Sequence, residues 1–306
     1  MDAYSTDRAD IPYGDQRPVL IAASSARALK CARPSIEALG ARIGASLSVA
    51  EAVERIRHQP AASAVWVELD EDGGEVMDEL LRIIRRDAFD ERYAAIVSTT
   101  RALIDPIEAI VGASPVQVVV EPNDADRVAA FALAASQLVE SLRVNDVASD
   151  RNAERLRQLS DEVSRIAATL ARLSTGPGAA PRVIHEALTT EAPPISAEMI
   201  RSIIRARRLR ARYFEEDLFA DPAWDMLLDL LQAEISHLRV PVSSLCIAAA
   251  VPATTALRWL KTMVSKGLFI RRADPHDGRR VFVELAPEAS RALRNYFADV
   301  GQAAMI

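Results

Sequence analysis

The sequence predicts a multidomain chain. An α/β unit with a parallel sheet comes first, then a long heptad helix, then a mostly α unit ending in a helix-turn-helix and a basic hairpin. Three observations carry this. Short apolar runs alternate with helical patterns over residues 17–123. Apolar residues then recur at spacings of three and four from Val128 to Leu173, with no Pro or Gly between. Finally, residues 242–285 read as two short helices, a tight turn between them, and two alternating runs around a Pro/Asp/Gly turn. The expected division is 1–16 as a disordered polar tail, 17–123 as the α/β domain, 124–174 as a coiled-coil dimerisation helix, 175–195 as a linker, and 196–306 as the C-terminal domain.

Composition narrows the class. A length of 306 residues suits two domains and a connector, and 50% apolar with 26% charged residues fits a soluble globular chain. No stretch approaches the roughly eighteen uninterrupted apolar residues of a membrane helix, so no membrane partner is expected. The first residues are polar and lack the apolar core of a signal peptide. Only Cys31 and Cys246 occur, too few for a disulfide framework and without metal spacing, which fits a reducing cytoplasm. His58, His185, His237 and His276 are scattered. No nucleophile–base pair, phosphate loop or metal set is legible, so neither an enzyme nor a cofactor is expected.

In the α/β domain, strands are expected at Val19-Leu20-Ile21-Ala22, at 64–69, at 94–98 and at 116–120, with a weak one near Arg42-Ile43. Helices are expected at 26–39, 48–58, 75–86 and 102–111. Alternation of this kind implies a parallel sheet with helices on both faces. In order and size the domain resembles the receiver domain of response regulators, which implies a flavodoxin-like fold. The resemblance also implies an acidic site at the strand ends, and there the sequence departs from it. The first strand ends at Ser24 without an acid, Glu68 stands at the phosphoacceptor place with Asp70 two residues on, and the fifth strand ends in Glu121-Pro122 instead of Lys-Pro. Without two carboxylates for Mg²⁺ and a lysine for the phosphoryl charge, aspartyl phosphorylation lacks its electrostatic basis. The domain therefore reads as a pseudo-receiver, a site for a protein partner or a small ligand. Asp70-Glu71-Asp72 reads as a charged surface loop.

The heptad seam includes Leu138, Leu142, Asn145, Ser149, Asn152, Leu156, Leu159, Val163, Ile166 and Leu170. A repeat sustained over this length predicts a parallel homodimeric coiled coil, with Asn145, Ser149 and Asn152 fixing register. An amphipathic helix folded back on its own domain is the alternative. Ser174-Thr175-Gly176-Pro177-Gly178 then begins the linker.

The C-terminal domain opens with a helix over 196–214 carrying six arginines. Its Ile200, Ile203, Ile204 and Leu209 would pack inward, and its arginines either meet phosphates or form a solvated face. Asp221-Pro222 starts the next helix, with Trp224, Leu227, Leu228 and Leu231 as its stripe. In the helix-turn-helix, Leu245, Ile247 and Ala248 should face inward, the turn falls at Ala250-Val251-Pro252, and Ala256, Leu260, Met263 and Val264 anchor the second helix. Trp259 is expected in the core. Gly267 ends that helix, and Pro287 starts the last one.

Helix, turn, helix and basic hairpin form a winged helix-turn-helix layout. Gly267-Leu268-Phe269-Ile270-Arg271-Arg272 and Asp274-Pro275-His276-Asp277-Gly278-Arg279 resemble the DNA-binding core of MarR-type transcription regulators over residues 242–285. Pro252-Ala253 departs from the polar residues that such regulators tend to have there. The resemblance implies a double-stranded DNA partner, flanking helices that build a dimer interface, and Asp277 bracing an arginine. On physical grounds Thr254, Thr255 and Arg258 would meet base edges in the major groove, Lys261 a phosphate, and Arg279 and Arg280 of the wing the minor groove. Residues 239–285 hold eight Lys/Arg against three Asp/Glu, a net of +5 in a chain of net charge −6. A basic module in an acidic protein is the footprint of phosphate binding. The expectation is a homodimeric, sequence-specific transcription regulator. A phosphorylation-controlled response regulator and a winged-helix protein-interaction module without DNA binding are the alternatives.

Overall fold

The computed structural model describes residues 17–38, 40–58, 62–144 and 195–300. The expectations for 1–16, for Asn152, Leu156, Leu159, Val163, Ile166 and Leu170, and for the linker up to 194 lie outside the described residues, as does the side chain of Leu142.

Strands β1 (Val19–Ala23), β2 (Ile43–Ser48), β3 (Ala64–Leu69), β4 (Ala94–Thr99) and β5 (Gln117–Val120) form a wholly parallel sheet in the order β2-β1-β3-β4-β5. This is a doubly wound order, which reverses between β1 and β3. The inner strands β1, β3 and β4 are buried on both faces, so they read as unbroken apolar runs. Edge strand β2 is half exposed, and its mixed pattern explains why only its start is legible in the sequence. Helices α2 (Val49–His58), α3 (Gly74–Phe89) and α4 (Ile104–Val111) cover one face, and α1 (Ala26–Ala38) covers part of the other.

That second face needs another cover, and α5 (Asp124–Val144) supplies it. Ala130 and Ala134 are buried there, while Phe131 and Leu138 rest partly on the same core as Trp66 and Ile96. The first turns of the heptad seam therefore lie on the chain's own sheet, and by packing α5 carries the α/β unit past residue 123.

The second unit comprises α6 (Ala197–Leu209), α7 (Pro222–Ile235), β6 (Val240–Pro241), α8 (Val242–Ala248), α9 (Ala253–Ser265), β7 (Phe269–Ala273), β8 (Val281–Leu285) and α10 (Pro287–Val300). Its antiparallel sheet has the order β6-β8-β7. The side chains of Ser196 and Asp221 cap α6 and α7 by accepting from the amides of Met199 and Trp224. Gly267, at φ +71°, ends α9, and the Leu268 amide reaches back to the Met263 carbonyl.

Three side chains differ from expectation. Ile247 is 72% exposed, because the short α8 turns Leu245, Cys246 and Ala248 inward instead. Trp259 lies on the outer face of α9 beside Arg258, and Leu257 takes the buried place. Leu209 is exposed where α6 gives way to a 3-10 turn. One apolar core joins the two units, running from the sheet through Ile104 and Ile107 to Val242, Leu245 and Leu260. No single helix among the described residues is long and apolar enough to cross a membrane.

Candidate nucleic-acid interface

Helix α9 presents its polar face to the edge of the α/β sheet. Strand β5 is the last of its sheet, so its outward amides and carbonyls lack a strand partner. The Thr254 hydroxyl accepts from the Val120 amide at 2.8 Å. Two turns on, Lys261 Nζ donates to the carbonyls of Val116 at 2.6 Å and Ser114 at 3.3 Å. Burial pulls the Lys261 pKa below its ordinary value, and the nearby Glu108 charge only partly offsets this. Thr255 is half-buried and Arg258 is exposed.

The hairpin faces the same unit. Arg279 grips Asp72, in the loop between β3 and α3, through Nη1 at 2.9 Å and Nη2 at 2.7 Å. This hydrogen bonding holds the Asp72 carboxyl below its ordinary range. Arg279 Nε also lies 3.3 Å from Asp78, whose pKa burial raises despite that arginine. Asp277 accepts from the Arg279 amide at 3.0 Å and lies 3.2 Å from Arg280 Nε, so it ties up the hairpin tip while Arg280 stays exposed.

Further back, Arg271 Nη1 donates to the buried Glu108 carboxylate at 2.9 Å, and Nη2 donates to the Glu108 carbonyl at 2.6 Å. Glycine at 112 permits this approach, since a Cβ there would lie 2.0 Å from Arg271 Nη2. Asp105 accepts from the Ser243 amide at 2.9 Å and from its hydroxyl at 2.5 Å. A carboxylate of α4 thereby caps α8 across the boundary between units. Sequence reasoning missed Asp105, Glu108, Gly112 and Ser243, because no local pattern marks a contact made 138 or more residues away.

The strand ends that resemble a receiver site are closed by internal bonds. Ser24 and Ser25 donate to the two oxygens of Asp70 at 2.7 and 2.8 Å. Burial raises the Asp70 pKa, but these hydrogen bonds outweigh it and leave the pKa lowered. Glu68 is buried and accepts from Ser98, the Trp66 indole and Arg127, each at 2.8 Å. Glu121, in a left-handed conformation ahead of Pro122, pairs with Arg101 at 2.9 Å. Among the described residues no three His, Cys, Asp or Glu side chains converge as a metal site.

No protein-family model matches the chain, and no curated protein matches it. Three solved structures are similar to part of it. A probable transcriptional regulator from Pseudomonas aeruginosa is 24% identical over 33% of this chain and 72% of that one, with a TM-score of 0.23. BpsR from Bordetella bronchiseptica, whose DNA binding is regulated by 6-hydroxynicotinic acid, is 17% identical over 33% and 74%, with a TM-score of 0.22. The transcriptional regulator Tm0710 from Thermotoga maritima is 21% identical over 34% and 80%, with a TM-score of 0.20.

Proposed function

We propose that the chain is a sequence-specific, double-stranded-DNA-binding transcription regulator that works as a homodimer. Helix α9 would enter the major groove through Thr254, Thr255 and Arg258, with Lys261 on a phosphate, and Arg279 and Arg280 would follow the minor groove. The carrying observation is the arrangement of α8, turn, α9 and basic hairpin on a segment of net charge +5 in an acidic chain. The α/β unit would serve as an interaction module without phosphorylation. A parallel coiled coil, expected over 124–174, would supply the second copy that a two-half-site reader needs.

Selection of random duplexes by the full-length chain tests this. A palindromic motif is expected, and Arg258→Ala should relax preference at one base pair by roughly 1–3 kcal/mol. Arg258 suits the test because its side chain is exposed.

A second reading, a winged helix used only to bind protein, is favoured by one observation. Thr254, Lys261 and Arg279 already bind protein, namely the chain's own α/β unit. If no duplex binds and Arg258→Ala weakens the association with a protein partner, that reading stands instead.

A further inference from the structure

Three of the residues that would meet DNA, Thr254, Lys261 and Arg279, are also bonded to the α/β unit. We propose that the α/β unit is a built-in competitor for the DNA-reading face, so that α9 and the hairpin engage a duplex only when the units part. This rests on the DNA-binding reading above and adds its control.

Three features argue for it. First, the cations Lys261 and Arg279 are occupied by carbonyl and carboxylate oxygens, the same chemistry that phosphates offer. Asp72 takes Arg279 as a fork, and the carbonyls of Ser114 and Val116 take Lys261. Second, the geometry is exclusive. With Thr254 bonded to Val120 and Lys261 to the β5 edge, the front of α9 lies against a sheet and cannot also lie in a groove.

Third, the hairpin tie lies at the surface, where Asp72 and Arg279 have side chains 46% and 34% accessible, so that salt and competing anions reach it. At the helix-turn-helix turn the seam also leaves an open cavity of about 580 Å³, lined by Arg101, Ile104, Cys246, Ile247, Val251 and Pro252. When the units part, water can satisfy the β5 edge while DNA phosphates replace the carboxylates.

The test uses the full chain and a pool of random-sequence duplexes at one salt concentration. Asp72→Ala/Asp105→Ala removes two ties from the α/β side without touching a DNA-reading residue. Glu71→Ala/Glu75→Ala removes equal charge nearby and serves as control. The amide of Val120, whose partner is Thr254, reports opening through its hydrogen exchange. We expect the Asp72/Asp105 variant to bind the pool roughly tenfold tighter or more than either the control or the unaltered chain. The Val120 amide should exchange faster in that variant, and in the unaltered chain once DNA is added.

A DNA complex of the unaltered chain with Val120 still protected overturns the proposal and leaves the DNA reading intact. Equal affinities for the variant and the charge control overturn it as well. A variant that opens by exchange yet binds no duplex overturns the DNA reading itself, and the control mechanism with it.

Discussion

Cys246 sits on α8 at 4% exposure, and its thiol pKa is pushed up to about 12, by burial foremost and then by the charges of Glu108 and Asp105. The reactive form is the thiolate, so at pH 8 almost none is present, and native reactivity should climb with pH only as it approaches that value. Cys31 is exposed. A thiol-specific chromophore at pH 8 should therefore count one fast thiol per native chain and a second only in denaturant. Glu68 illustrates a different residue-scale constraint. Its carboxylate is the strong partner of a buried arginine, since among the described residues Arg127 otherwise has only Asp124, at 3.6 Å. Glu68→Ala leaves that guanidinium buried and undercompensated, at a cost on the order of 3–5 kcal/mol in urea unfolding, towards the lower end because Asp124 remains. Glu68→Gln keeps an acceptor for Ser98 and the Trp66 indole and should cost less. The place of Glu68 at a strand end is legible in sequence. Its partner is not, because Arg127 reaches it only through the packing of α5 on the sheet.

Elements show the same division. The inner strands of the first sheet and the helices of the winged unit follow from local pattern: unbroken apolar runs for strands buried on both faces, Asp221-Pro222 and Gly267 for helix ends. Differences arise where a pattern fits two surroundings. Ile247 is apolar on a helix of seven residues, too short for periodicity to assign a face, and Trp259 is large enough to look like core while standing outside. The heptad frame marks a helix, and α5 is one over its described part, but periodicity does not say whether Leu138 meets a partner chain or a sheet. At the strand ends, Asp70 is occupied by two serine hydroxyls and Glu68 is enclosed. Acetyl phosphate with Mg²⁺ should therefore add no phosphoryl group, and the intact mass should be unchanged. A stable adduct on Glu68 or Asp70 would restore the phosphorylation-controlled alternative.

Across the whole molecule, the fold is legible in sequence as two units and the relation between them is not. Residues such as Asp105, Glu108 and Lys261 look like ordinary surface charges in one dimension, and only tertiary structure decides what they face. The apolar core continues from Ile107 on α4 into Leu245 on α8 and Leu260 on α9, so the units share more than polar ties. Units with a common core unfold together. Urea denaturation of the chain carrying Trp224→Phe and Trp259→Phe, so that Trp66 alone reports the sheet, should accordingly give coincident transitions for fluorescence and for far-ultraviolet circular dichroism.

The double use of Thr254 and Lys261 also bears on how such a chain can evolve. On the proposed reading, a substitution at Thr254 changes base preference and one at Lys261 changes affinity, and each in the same step alters the bond to Val120 or to the carbonyls of Ser114 and Val116. Operator choice and basal output are then one inherited trait instead of two. A lineage acquiring new target sites through Thr254 would have to readjust the β5 edge as well.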